Sequence, residues 1–93
     1  MKYYIERTQQ FKKDYKLAQK QGLDMEKLKE VITLLAEGKS LPKNNKDHQL
    51  KSNYKDHREC HIEPDWLLIY KIKEDALILT LVRTGSHSNL FKK

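Results

Sequence analysis

The stretch "HRECHIEPDWLLIYK", residues 57–71, decides how the rest of the chain must fold. Its second half, Trp66 to Lys71, is the most hydrophobic run in the sequence and carries the aromatic and branched residues of a strand. Its first half alternates. On an extended backbone Arg58, Cys60 and Ile62 point to one face, while His57, Glu59, His61 and Glu63 point to the other. Pro64 and Asp65 separate the halves with turn chemistry. The segment reads as two strands, 57–63 and 66–73, with Cys60 turned toward a core.

Working outward, "KEDA" at 73–76 is a turn that makes a hairpin with a third strand, 76–83. Toward the N-terminus, "KYYIER" has strand propensity and precedes Thr8, an N-cap for a helix running to about Gly22 with Phe11, Tyr15 and Ala18 on one face. Asp24 caps a second helix in which Met25, Leu28, Ile32 and Leu35 repeat at helical spacing, and Gly38 stops it. The predicted class is α+β, a small twisted sheet with a helical hairpin on one face. Residues 39–56, "KSLPKNNKDHQLKSNYKD", lose all periodicity and read as a long basic loop anchored by Leu41 and Leu50. In "RTGSHSNLFKK" Arg83 ends a strand, Gly85 allows a tight turn, and His87 and Phe91 sit on a short tail.

At 93 residues the chain has room for one core, so the expectation is a single domain over 1–93 whose site shares residues with its scaffold. An apolar fraction of 38% is low, but the apolar residues are clustered, which argues against disorder. No run approaches the roughly 20 apolar residues of a membrane span, and the N-terminus lacks a signal-peptide core, so a cytoplasmic location is expected. The single cysteine fits a reducing compartment. A formal charge of +6 favours an acidic partner, with nucleic acid first and an acidic protein next.

The spacing of His57 and His61 suits a metal only on a helix; on a strand it separates the Cα atoms by roughly 13 Å, too far for one ion. The remaining histidines and Cys60 show no metal-ligand spacing, and neither a nucleophile elbow nor a phosphate-cradling glycine loop is present. No metal or cofactor is therefore expected. What remains is acid–base chemistry on a polyanion. Metal-free RNA cleavage needs a base for the 2′-hydroxyl, an acid for the departing 5′-oxygen and a cation for the charge gathering on the phosphate. His48, His61, Asp65, Arg83 and His87 have the right chemistry and all lie near segment ends. Each also has an ordinary reading: His48 as a solvated loop residue, Asp65 as a turn cap, Arg83 paired with an acidic residue across the sheet. Trp66 is partly core. Tyr54 either anchors the basic loop or stacks on a base, Phe91 must pack back on the domain or meet a base, and Lys46 is a candidate substrate contact.

Taken together and in order, "KDHQL" at 46–50, "RECHIEPDWLLIYK" at 58–71 and "RTGSHSNLF" at 83–91, after a strand and a helical hairpin, closely resemble the YafQ toxins of the RelE/ParE superfamily. The resemblance runs from "FKKDYKLAQK" in the first helix to Phe91. It implies a RelE-like fold and a ribosome-dependent ribonuclease that cleaves mRNA and is neutralised by a cognate antitoxin in a tight complex. It also implies active-site roles for His48, His61, Asp65 and His87, with Trp66, Arg83 and Phe91 contacting phosphate or base. On that basis Asp65 or His48 is the base, His87 the acid, and Arg83 with His61 the stabilisers of the transition state. The sequence departs from the family around Lys43 to Lys46 and at Lys92 and Lys93. Two rival readings remain: a ParE-like inhibitor of DNA gyrase, and an RNA- or ribosome-binding module without catalysis.

Overall fold

The computed structural model describes residues 2–51 and 56–91. Strand β1 (Tyr4–Arg7) leads into helix α1 (Gln9–Lys20), and helix α2 (Met25–Ala36) follows a short link. Thr8 starts α1 as its position dictates. Its Oγ1 accepts from the Phe11 amide at 2.9 Å and donates to the Val82 carbonyl at 2.7 Å, so one hydroxyl caps the helix and fastens it to the sheet. Asp24 caps α2 by accepting from the Glu26 amide at 3.2 Å. That helix closes with paired bonds from the Gly38 amide to the Leu35 carbonyl and from the Lys39 amide to the Leu34 carbonyl. Gly38 sits at φ 75°, a conformation that strains other residues.

Between residues 39 and 51 the chain holds more regular structure than its composition suggests. The expected loop contains a 3-10 turn at Lys43–Asn45 and a two-residue strand, β2 (His48–Gln49). Strands β3 (Arg58–Glu63), β4 (Trp66–Lys73) and β5 (Ile78–Gly85) follow, then a short helix, α3 (His87–Leu90). The last strand lies two residues later than the sequence indicates. Leu77 takes a left-handed conformation, φ 54°, that completes the hairpin turn, so pairing starts at Ile78. At the other end Gly85 is a strand residue paired with Leu67, and the chain turns at Ser86, whose hydroxyl accepts from the Asn89 amide at 3.3 Å and opens α3. The expected tail is thus strand and then helix.

The sheet order is β1-β5-β4-β3-β2. β1 runs parallel to β5 and every other pair is antiparallel, the helical hairpin supplying the crossover a parallel pair needs. This is the α+β architecture expected from the sequence. The hairpin covers one face, where Phe11, Leu28 and Leu35 meet Cys60, Leu68 and Leu81. Burying each of the larger side chains contributes about 1.5–3 kcal/mol. Central strand β4 is buried on its other face as well: Leu67 and Ile69 join Leu90, with Leu50, Val82 and Phe91 packed around them. This second cluster is the floor of the site. Among the described residues no helix is long and apolar enough to cross a membrane.

Candidate active site

A two-residue strand cannot fix its own register, and β2 is held by a charged pair on each side. His48 lies opposite Glu59 of β3, with Nε2 3.2 Å from Glu59 Oε1. On the other side the Asp47 carboxylate accepts from Arg58 Nε at 3.2 Å and from the Tyr70 hydroxyl at 2.6 Å. Burial, and then the bond to Asp47, push the Tyr70 hydroxyl well above the ordinary phenol range, so it remains a donor. Just upstream, Asn45 donates to the His61 carbonyl at 2.6 Å and pins the preceding turn to β3. His48 is therefore not a solvated loop residue, although its ring is half exposed.

His61 shares the face of Glu59, two residues or roughly 7 Å further along β3. Its Nδ1 is 3.2 Å from the Pro64 carbonyl. Asp65, exposed in the turn that follows, accepts from the His87 amide at 3.4 Å and so ties the β3–β4 turn to the start of α3. The His87 ring packs against Phe91 with centroids 4.9 Å apart. Because Leu90 and Phe91 pack on Leu67 and Ile69, α3 lies over the same face as His48 and His61. Lys46 is exposed, and its left-handed backbone, φ 49°, turns the chain into β2. A cleft of about 340 Å³ runs beside His61, lined also by Lys27, Asn44, Asn45 and Lys46.

Of three further candidates, Trp66, Arg83 and Tyr54, two lie among the described residues. Trp66 is buried, 2% exposed, and its indole N–H donates to Thr84 Oγ1 at 2.9 Å. It shapes the scaffold and offers no surface to a substrate in this conformation. Arg83 has its acidic partner, but from α1: Nε and Nη2 donate to the Asp14 carboxylate at 3.1 Å each, and Asp14 also accepts from the Thr84 amide at 3.2 Å. The pair lies in a cleft that Asn89 of α3 also lines. Tyr54 lies outside the described residues. Cys60 is fully buried, as its alternation indicates, and burial pushes its thiol up to about 12, which removes it as a nucleophile. Among the described residues no three His, Cys, Asp or Glu side chains converge as metal ligands.

Sequence reasoning missed Glu59, Asp47 and Asp14. Glu59 is 6% exposed and Asp14 8%, unusual burial for carboxylates. A signal for Glu59 was present: when "HQ" at 48–49 runs antiparallel to "RE" at 58–59, His48 falls opposite it.

Residues 3–92 match the model of a family described as the bacterial toxin of type II toxin–antitoxin systems, YafQ. The chain is 50% identical over 88 residues to the mRNA interferase toxin YafQ of Escherichia coli strain B/BL21-DE3, covering 94% of each protein. Its fold matches a chain in the crystal structure of the E. coli DinJ-YafQ complex with a TM-score of 0.88 at 49% identity, covering 96% of this chain and 98% of that one. It matches the crystal structure of a metal-bound toxin from Helicobacter pylori with a TM-score of 0.91 at 47% identity, covering 96% and 99%.

Proposed function

The chain belongs to the YafQ family of type II toxins, and we propose that residues 1–93 act as one toxin domain, a ribosome-dependent mRNA endoribonuclease that works without metal and is held inactive by a cognate antitoxin protein. The observation that carries this reading is the gathering of His48, His61, Asp65 and His87 over the Leu67–Ile69–Leu90 floor, from three separate parts of the chain. A merely basic binding module needs lysines and no such assembly.

In the reaction class this site fits, the 2′-oxygen attacks the adjacent phosphorus as its proton passes to a base. The bond to the 5′-oxygen breaks as an acid supplies that oxygen with a proton. His87, exposed at the start of α3 and braced by Phe91, is the general acid of this reading. The cleft beside His61 is lined by Asn44, Asn45 and Lys46, with the Lys27 ammonium paired to Glu63 at 2.9 Å, and it suits a nucleotide next to the scissile bond. A site this open supplies little positioning by itself. The ribosome would hold the message in line, a contribution that can reach several kcal/mol of the barrier. The excess of positive charge suits both the ribosome and an acidic antitoxin segment.

The test is to map message ends after brief induction of the wild type and of His87→Ala. New ends within translated frames, absent with the variant, are expected. Inhibited DNA supercoiling with intact messages would point instead to a gyrase inhibitor. Arrest that persists equally in the variant would point to a non-catalytic binder. A chelator selective for transition metals, with magnesium retained for the ribosomes, leaves the cleavage rate unchanged in this account. A loss of activity restored by added metal would overturn metal independence.

A further inference from the structure

We propose that Glu59 is the positioning residue of the site: with the Lys46 carbonyl it grips the His48 ring by both nitrogens, so that His48 has no open lone pair and the base is His61. The inference rests on the ribonuclease reading above and goes further by dividing the roles of the two histidines.

A neutral imidazole has one N–H and one lone pair. His48 faces an acceptor on each side. Its Nδ1 is 2.7 Å from the Lys46 carbonyl, which can only accept, and its Nε2 is 3.2 Å from Glu59 Oε1. With a proton on Nδ1 for the first contact, the second also needs one, carried by the ring or by the carboxyl. The pair therefore holds a shared proton. The burial of Glu59 supports this. The side chain is 7% exposed, its neighbour across β4 is the apolar Ile69, and Oε2 has no hydrogen-bond partner among the described residues. A carboxylate so placed is costly unless a proton or cation neutralises it, and His48 is the group in reach. Arg58, the other nearby cation, is turned to Asp47 on the opposite side of the ladder.

His61 has the complementary arrangement. The Pro64 carbonyl, 3.2 Å from Nδ1, fixes the proton there, which leaves the lone pair on Nε2. Its ring is half-buried beside the cleft, on the same face as Glu59. One histidine thus has both nitrogens engaged, while the other keeps a lone pair on Nε2.

The deciding experiment is ¹⁵N-edited NMR of the imidazole nitrogens in the full-length wild type and in Glu59→Gln at neutral pH, alongside cleavage of ribosome-bound message. In the wild type, His48 is expected to show Nδ1 protonated with a further proton between Nε2 and Glu59, and His61 the Nδ1–H form. In Glu59→Gln the amide donates to Nε2, so His48 should become a neutral Nδ1–H ring still held on both sides, whereas Glu59→Ala, which frees the ring, should lower kcat by about ten-fold or more with KM little changed. A wild-type His48 with a bare ring nitrogen, or ring signals indifferent to Glu59→Gln, would overturn the proposal. So would full activity in Glu59→Ala. If the wild type shows these ring states and yet cleaves nothing, the ribonuclease reading fails while the proton assignment stands, because the spectra are independent of turnover.

Discussion

The Tyr70 hydroxyl donates a 2.6 Å hydrogen bond to Asp47, the residue next to His48. Tyr70 belongs to the central strand and is buried, so this bond connects the most rigid part of the sheet to its shortest strand. Tyr70→Phe keeps the ring and removes only the donor. It is expected to cost about 1–3 kcal/mol in urea unfolding, and to slow message cleavage as β2 loosens. Unchanged stability would show that Arg58 alone suffices to hold Asp47.

Asp65 is a candidate base in the sequence, but its observed bond is to the His87 amide, a contact that an amide oxygen can also make. Asp65→Asn is therefore expected to keep cleavage within about ten-fold of wild type, whereas Asp65→Ala, which lets the start of α3 drift, should lose more. Equal and severe loss in both variants would return the base to Asp65.

The frame of this fold was legible because its signals are local. Thr8 and Asp24 cap the helices they precede, and the alternation in 57–63 turns Cys60 inward as expected. What escaped is long-range or too short to carry a pattern. Two residues of β2 show no alternation, and its pairing depends on charges at 58 and 59. The partner of Arg83 is 69 positions away on α1, and nothing local to Asp14 signals that contact. Of the site, the histidines and Asp65 could be nominated by chemistry alone. Their supporting carboxylates could not, because burial by a neighbouring strand is invisible in a linear pattern. Trp66 reads as partly core in the sequence, and its burial and its bond to Thr84 put it in the scaffold.

Alkaline stability gives an independent check of the core. The unfolded Cys60 thiol ionises near its ordinary value of 9.0, whereas in the fold burial raises it to about 12. Above the first value the unfolded chain therefore binds fewer protons than the native one, and stability falls as pH rises. The contribution is complete below the unfolded value and is lost on the way to the folded one. Urea midpoints are expected to decline between about pH 9 and 11, with a shallower decline in Cys60→Ala on a lower baseline. Parallel declines would mean that the thiol does not titrate across that range.

The central claim, that side-chain acid–base chemistry cleaves the message, is met most directly by the single-turnover rate of cleavage on purified, message-loaded ribosomes. His87→Ala is expected to lower that rate by roughly a hundred-fold or more relative to the wild type, with ribosome binding retained. Equal rates for the two proteins would contradict it.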